Sequence, residues 1–262
     1  MRLPIYQVDA FTDAVFAGNP AAVVPLESWL PDATLQAIAA ENNLAETAFF
    51  VRGGGSCELR WFTPLVEVDL CGHATLASAI VIATVLEPGR ERFAFATRQA
   101  GELTVTREGE RFILDFPVRP AAPLTPPPDL LTALGGPAPA AVLAGRDYLV
   151  VYDDPAVVRD LAPDMARLAT LDRFAVSVTA PGEDRVDFVS RFFAPAQGIP
   201  EDPVTGSAHC TLIPYWAERL GKTVLSARQV SARGGNLACE LAGDRVKIGG
   251  TAVLYLEGAI HV

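Results

Sequence analysis

The sequence predicts an α+β fold of two similar lobes, and a repeated motif is the first observation behind this prediction. RWFTP at residues 60–64 precedes CGHA at 71–74 and an apolar helix, while RFFAP at 191–195 precedes TGSA at 205–208 and a second helix. The two motifs are separated by half of the 262-residue chain. Short alternating strands flank both copies. Because two copies are too few for a solenoid, we expect two similar lobes that face each other.

The first lobe is predicted from residue alternation, turn residues and helix signals. Pro31 suits the first turn of a helix, Asn42 and Asn43 suit its end, and the glycines at 53–55 indicate a hairpin turn. The run at 74–86 is apolar on nearly every face, so we expect a helix surrounded by protein. Strands are predicted at 5–11, within 16–24, at 46–51, 57–62, 92–96, 101–107 and 111–116, and helices at 29–42 and 74–86.

A proline-rich segment, residues 117–139, separates the two halves and is the predicted boundary between lobes. We therefore predict an N-terminal lobe at 1–118 and a C-terminal lobe at 119–262, with a final strand at 251–262 that can cross back to the first lobe. The second lobe repeats the pattern of the first. Its predicted strands lie at 141–143, 147–151, 174–179, 187–193, 224–231, 237–242 and 245–249, with helices near 163–171 and from 206 through 216.

Composition limits the classes of partner. Half of the residues are apolar, the formal net charge is −10 and the isoelectric point is about 4.8, which argue against nucleic acid or an anionic membrane surface as a partner. The longest apolar run is too short to span a bilayer, and the N-terminal residues lack the pattern of a secretory signal. The four cysteines lack the spacing of a zinc or redox site. We expect a cytoplasmic protein with reduced thiols.

The stretch EDPVTGSAH at 201–209 places an acid directly before a helix. Pro203 restricts Asp202 to extended geometry, Gly206 allows a tight turn, and Thr205 or Ser207 can cap the helix. The free backbone N–H groups of such a helix start attract an anion. This stretch therefore predicts a site for a small anionic metabolite.

Five motifs together carry a resemblance to a known family. They are VDAFT at 8–12, GNP at 18–20, LAETAF at 44–49, CGHAT at 71–75 and EDPVTGSA at 201–208, and they cover nearly the whole chain. In this order they resemble the PhzF-like family, the phenazine-biosynthesis-type isomerases. That family shares its fold with diaminopimelate epimerase and proline racemase.

The resemblance implies a fold and a set of site residues. Each lobe would be a curved, mostly antiparallel sheet or open barrel around a central helix, with the active site in the cleft between the lobes. By the family pattern, Glu46 is the general acid/base, Asp202 is a second acidic partner and His73 completes the catalytic set. Substrate-binding positions by the same pattern are Asn19, Gly72, Thr205, Gly206 and Ser207. One departure is Ala45, since the family commonly has serine there.

Several of these residues also have structural interpretations. Glu46 at a strand start, taken alone, is typical of a solvated surface acid, and His73 could simply cap a helix. Asn19 in its Gly-Asn-Pro turn can be structural, with substrate contact as the alternative. Related racemases use two cysteines, one from each lobe. Cys71 lies beside the expected position and Asp202 occupies the partner position, so we assign Cys71 mainly to packing.

The expected chemistry is proton transfer without a metal or other cofactor on a small carboxylate-bearing substrate. Glu46 would move a proton between carbons while the helix N-termini hold the carboxylate, and burial should raise the pKa of Glu46. One alternative is an amino-acid-type epimerase or racemase of the same superfamily. Another is a binding protein that senses a small acid without turnover. The resemblance also implies a homodimer.

Overall fold

The computed structural model describes all 262 residues, which divide into two compact units. Unit 1 contains Met1–Phe116 and Lys247–Val262, and unit 2 contains Pro117–Val246. Unit 2 is therefore continuous in sequence, whereas unit 1 is assembled from two segments. None of the helices reaches the combination of length and apolar character that crossing a membrane requires.

Unit 1 is mainly a sheet, and its strands lie close to the predicted positions. Its elements are β1 (Arg2–Ala10), β2 (Asn19–Leu26), α1 (Asp32–Asn42), β3 (Glu46–Arg52), β4 (Cys57–Phe62), β5 (Glu67–Val68), α2 (Gly72–Val81), β6 (Arg92–Thr97), β7 (Glu102–Glu108), β8 (Arg111–Pro117) and β18 (Ala252–His261). β1 pairs antiparallel with β18 and β2, β2 pairs parallel with β3, and β3 pairs antiparallel with β4. β4 pairs parallel with β6, from which β7 and β8 continue as an antiparallel meander.

The central helix of unit 1 is α2, and all ten of its residues are buried. It packs against β1, β2 and β3. Its Thr75 and Ser78 hydroxyls donate to carbonyls four residues earlier, so they add no unsatisfied polar group to the core. The predicted enclosed helix is confirmed, except that its last part, Ile82–Leu86, is a π-helical turn.

Unit 2 has the same construction. Its elements are β9 (Ala122–Pro123), α3 (Pro128–Leu134), β10 (Ala141–Ala144), β11 (Tyr148–Val151), α4 (Pro155–Asp160), α5 (Met165–Leu168), β12 (Val176–Pro181), β13 (Phe188–Ala194), β14 (Ile199–Asp202), α6 (Gly206–Leu220), β15 (Val224–Gln229) and β16 (Gly235–Ala242). A 3₁₀ turn, Pro195–Gln197, precedes β14, and β17 (Arg245–Gly250) begins in unit 2 and ends in unit 1.

The order of strand directions shows that the predicted duplication is real. From β1 to β7 the successive pairings are antiparallel, parallel, antiparallel, parallel and antiparallel. From β10 to β16 they follow the same order, with β13 pairing in parallel with β15. In both units the connection before the second parallel pair carries the long buried helix, α2 or α6. Both units are therefore built on one plan.

Two arginines at equivalent places brace the units. Arg60 on β4 forms a two-point ion pair with Glu67 at 2.8 Å, and its guanidinium lies over the Phe62 ring. Arg191 on β13 forms the same pair with Glu201 at 2.7 and 2.9 Å and lies over Phe193. These arginines therefore support the two loops that lead to α2 and α6, as their place in the repeated motif suggests.

The proline-rich segment is more ordered than a linker. It contains β9 and α3, and Leu130, Ala133 and Leu134 of α3 are part of the unit 2 core. Pro127 and Pro128 start the helix, where a missing N–H costs nothing. The sequence also failed to predict α4, which Asp154 caps by accepting from the Ala156 N–H.

Candidate active site

Glu46 and His73 meet in unit 1. Glu46 is the first residue of β3 and is 7% exposed, and His73 is the second residue of α2 and is 1% exposed. His73 Nε2 lies 3.2 Å from Glu46 Oε2. Glu46 is therefore not a solvated surface acid, and His73 is not simply a helix cap. The structure places a buried carboxylate beside a buried imidazole.

Asn19 and Cys71 complete this cluster, which we call the unit 1 group: Asn19, Glu46, Cys71 and His73. Asn19 is the first residue of β2 and is fully buried, and its Nδ2 lies 3.0 Å from His73 Nδ1. The Cys71 Sγ lies 3.5 Å from the same nitrogen. The start of β2, the start of β3 and the start of α2 thus converge on one imidazole ring.

Burial determines the charge of the imidazole. Removal from water disfavours the charged ring and lowers the pKa of His73 from 6.5 to about 3. His73 is therefore neutral at physiological pH. It can donate one hydrogen bond and accept one, but it does not supply a proton as an imidazolium.

Glu46, Cys71 and His73 each offer one potential metal-ligand atom, and these atoms all lie within 4.8 Å of one another. A metal on His73 Nε2 needs the lone pair of that nitrogen, with the proton on Nδ1. The Asn19 amide nitrogen at Nδ1 favours the opposite proton position. The proton position that Asn19 favours on His73 thus suits acid/base chemistry better than metal binding.

A second cluster, the unit 2 group, consists of Asp202, Thr205, Ser207 and Gln229. Asp202 is the last residue of β14 and is 4% exposed. The Thr205 hydroxyl donates to Asp202 Oδ2 at 2.6 Å, and Gln229 Nε2 donates to Thr205 Oγ1 at 3.1 Å and to the Asp202 carbonyl at 2.6 Å. Ser207, the second residue of α6, is 8% exposed. These contacts fix the turn between β14 and α6.

The prediction that the Thr205 or Ser207 side chain caps α6 is wrong. Thr205 does occupy the N-cap position, but its hydroxyl serves Asp202, and its backbone N–H is bonded by Gln229 Oε1 at 2.8 Å. A long amide can thus satisfy both the helix start and the turn. Sequence reasoning missed Gln229, although a polar residue in the buried phase of β15, after Leu225 and Ala227, was a usable signal.

Gly72 and Gly206 are the first residues of α2 and α6, and both are buried. Side chains are absent there, so the backbone N–H groups of each helix start are accessible to a close neighbour. Ala45, where the family commonly has serine, directly precedes the buried Glu46 and contributes no hydroxyl.

His209 and Cys210 lie inside α6 and are structural. His209 Nδ1 donates to the Thr205 carbonyl at 2.8 Å, and burial lowers the pKa of His209 to about 4. Burial raises the pKa of Cys210 to about 12, so its thiolate is not available at neutral pH.

Comparison with known proteins decides the family. A family model described as phenazine biosynthesis-like protein, PhzC-PhzF, matches residues 8–258. The chain belongs to this family. It is 56% identical over 262 residues to an uncharacterized isomerase of Pseudomonas aeruginosa, covering all of both chains, and 40% identical to a phenazine biosynthesis-like domain-containing protein of Homo sapiens, covering 99% of each.

Solved structures agree with this assignment. A PhzF-family protein of Enterococcus faecalis is similar over the whole of both chains, with 50% identity and a TM-score of 0.93. A hydroxyproline epimerase of Agrobacterium vitis is 9% identical with a TM-score of 0.60, covering 99% of this chain and 91% of that one, and shows the shared fold alone. The predicted family and fold class are confirmed, and so is the general expectation of an enzyme of the isomerase class.

Proposed function

We propose that the chain is a cofactor-independent isomerase that moves a proton on a small carboxylate-bearing metabolite, with Glu46 as the acid/base. The observation that carries this proposal is the Glu46 carboxylate, 7% exposed and 3.2 Å from a neutral His73. A carboxylate takes a proton from one carbon and returns it to another, so the reaction needs no net proton and no redox partner. His73 lies beside one carboxylate oxygen and shields it from water.

The unit 2 group supports the anionic part of the proposal. Gly206 and Ser207 begin α6 with backbone N–H groups whose helix dipole favours an anion. Thr205 and Gln229 hold Asp202 in one position through short hydrogen bonds. We propose that this helix start binds the substrate carboxylate and that Asp202 orients the substrate. Gly72 at the start of α2, like Gly206 at the start of α6, would let the substrate approach the backbone N–H groups.

Two experiments test the reaction. A thermal-stability screen against cyclic and aromatic-derived carboxylic acids would identify ligands, and turnover of each ligand in deuterium oxide would be followed by proton NMR. We expect solvent deuterium at the new carbon position, because a carboxylic acid exchanges its proton with water. Glu46→Gln keeps the shape and should bind while losing about 10²- to 10⁴-fold in rate. Full activity of Glu46→Gln would refute the mechanism.

A matched control comes from the same unit. Glu41→Gln makes the identical chemical change at an exposed position of α1. We expect its rate and its ligand-induced stabilisation to equal those of the wild type. Ligand stabilisation without any isotope exchange, in wild type and control alike, would favour a binding protein instead.

The epimerase or racemase alternative lacks support at the thiols. The two-cysteine inversion of the related racemases needs a thiol in each half. The position equivalent to Cys71 relative to the start of α6 is Thr205 rather than the expected Asp202, and neither residue carries a thiol. Cys210 is completely buried, and burial raises the pKa of its thiol to about 12. Inversion at one carbon together with an inactive Cys71→Ser variant would restore this alternative.

The homodimer and the cytoplasmic location stay predictions. Sedimentation at micromolar concentration tests the assembly. A monomer there would remove that prediction.

A further inference from the structure

We propose that Asn19 is a positioning residue that keeps the proton of His73 on Nε2, the ring nitrogen next to Glu46. The structural part of this inference stands on the geometry of the unit 1 group. Only its catalytic consequence rests on the proposed function. Neither part requires Asn19 to touch a substrate.

The position of Asn19 is fixed by the chain before it. Gly18 adopts a φ of +64°, and a Cβ there would lie 2.1 Å from the Ala10 carbonyl oxygen, so only glycine allows this entry into β2. Asn19 then pairs with Ala10 across the β1–β2 ladder and is fully buried. Its amide therefore has little freedom to move away from His73.

The direction of the hydrogen bond follows from the chemistry of the two groups. An amide nitrogen has hydrogens but no lone pair to offer, so Asn19 Nδ2, 3.0 Å away, makes His73 Nδ1 an acceptor. A neutral imidazole carries one proton, which must then be on Nε2. The Cys71 thiol, 3.5 Å from Nδ1, can donate to the same lone pair.

The opposite arrangement is unfavourable. If the Asn19 amide were turned, its oxygen would require a proton on Nδ1, and the lone pair of Nε2 would face the Glu46 carboxylate at 3.2 Å. Two acceptors would then oppose each other inside the protein. The observed arrangement instead places Nε2–H, a positive dipole end, next to the Glu46 carboxyl group, which favours its ionised form. This is the form of Glu46 that abstracts a proton.

His209 provides an internal reference with the opposite tautomer. Its Nδ1 is 2.8 Å from the Thr205 carbonyl, which can only accept, so its proton lies on Nδ1. The chain has three histidines, and the third, His261, is exposed. Both buried rings are neutral, because burial lowers the pKa of His73 to about 3 and that of His209 to about 4.

Nitrogen-15 NMR of the histidine-labelled protein at neutral pH tests the inference directly and needs no substrate. We expect a protonated, pyrrole-type nitrogen at Nε2 and an unprotonated, pyridine-type nitrogen at Nδ1 for His73. His209 should show the reverse pattern. A protonated Nδ1 on His73, or rapid exchange between the two tautomers, would overturn the proposal.

A variant tests whether Asn19 causes this tautomer. Asn19→Asp replaces the donating amide by an accepting carboxylate of nearly the same shape, so the protonated-nitrogen signal of His73 should move to Nδ1, or appear on both nitrogens. His209 should be unchanged, which also reports that the variant is folded. Asn42→Asp is the matched control, because Asn42 donates to Thr47 Oγ1 and not to the ring. An unchanged His73 pattern in Asn19→Asp would refute the role of Asn19.

Kinetics then separate the two levels of the proposal. Once a substrate is found, Asn19→Asp should lower kcat by about tenfold or more with little change in KM, since it alters the Glu46 environment and not the carboxylate site. An equal loss in both Asn19→Asp and Asn42→Asp would contradict a specific role. If the NMR pattern holds while Glu46→Gln is fully active, the positioning of His73 stands and the proposed reaction fails.

Discussion

The two units share one scaffold but carry their acids at different places on it. Arg60 on β4 pairs with Phe49, and Arg191 on β13 pairs with Val178. Three residues before these partners lie Glu46 in unit 1 and Ala175 in unit 2, so these two positions correspond. Both of these positions are buried. Unit 2 therefore has a methyl group where unit 1 has a carboxylate.

At the helix starts, it is unit 2 that carries an acid and unit 1 that lacks one at the equivalent position. When Gly72 is aligned with Gly206, Glu67 coincides with Glu201, so the acids that pair with the two arginines occupy the same position. In contrast, Asp202 coincides with Val68, and Ser207 coincides with His73. Positions that brace the scaffold are thus the same in both units. Positions assigned to chemistry differ, which indicates that the duplicated scaffold is structural and that each half was specialised separately.

The same alignment explains His209. It corresponds to Thr75, whose hydroxyl donates to the Cys71 carbonyl at 2.5 Å, just as His209 donates to the Thr205 carbonyl at 2.8 Å. Both residues satisfy the same carbonyl of the helix start. A buried histidine is therefore scaffold in unit 2, while the histidine of unit 1 belongs to the candidate site.

The largest expected effect separates the two acids. Glu46→Gln should lower kcat about 10²- to 10⁴-fold, whereas Asp202→Asn should lower it less if Asp202 only orients the substrate. Asparagine keeps an acceptor for the Thr205 hydroxyl, so the turn itself should survive. Steady-state kinetics of both variants give the ratio. Equal losses would mean that Asp202 shares the proton path.

The second prediction concerns the arginines, which the comparison treats as equivalent. Arg60→Met and Arg191→Met should each lower the free energy of unfolding by about 3 kcal/mol, because an acid and several acceptors lose their partner. The side chains of Arg60 and Arg191 are 3% and 11% exposed. Arg191 also donates to the carbonyls of Val158, Arg159 and Leu161. Urea unfolding measures the loss.

Exposed arginines provide the controls for that prediction. Arg98→Met in unit 1 and Arg159→Met in unit 2 break surface ion pairs, and each should cost less than about 1 kcal/mol. If Arg60→Met or Arg191→Met cost no more than its control, the bracing role would be wrong.

The third prediction is a pH dependence to which both buried histidines contribute. Burial lowers the pKa of His73 to about 3 and that of His209 to about 4. Below pH 6.5 these histidines therefore bind protons in the unfolded chain but not in the folded chain. Stability is therefore complete above pH 6.5 and falls as the pH falls, by about 1.4 kcal/mol per pH unit for each histidine. Carboxylates dominate at lower pH, so the window is pH 5–6.5.

Variants divide this slope between the units. His73→Gln and His209→Gln should each remove about half of the slope in urea unfolding across that window. A stability that does not change between pH 6.5 and 5 would contradict the buried neutral state of both rings. A slope removed entirely by one variant would show that the other ring is hydrated.

The smallest expected effect is at the one cysteine of the candidate site. Cys71→Ser keeps a small group able to donate to His73 Nδ1, so kcat should stay within about twofold of wild type. Kinetics beside the identical change Cys57→Ser, which lies on β4 away from His73, gives the comparison. A specific loss in Cys71→Ser would give the thiol a chemical role.

Strand positions were predictable because side-chain alternation and turn residues are local. β4 matches its predicted range, and the glycine turn joins β3 to β4. Asn43 ends α1 in the left-handed conformation, at the predicted helix end. The repeat predicted the equivalent arginines. These signals lie within a few residues of the feature that they predict.

The remaining contacts were not predictable because they join distant segments. Asn19 meets His73 only when β2 lies beside α2, and Gln229 reaches Thr205 from a strand that follows α6. Short elements such as β5, β14 and α4 have too few residues for a periodic signal. Composition also did not reveal that the proline-rich segment contains a helix whose Leu130 and Leu134 are buried.

The pairing of β1 with β18 has a consequence for folding during synthesis. All of unit 2 is translated between these two strands, so β1 lacks one neighbour until the last segment of the chain has been made and released. β1 then exposes an unpaired edge until β18 arrives, and such an edge can pair with another chain. A chain cut short after residue 246 would therefore keep all of unit 2 but leave β1 with an unpaired edge that can associate with another chain.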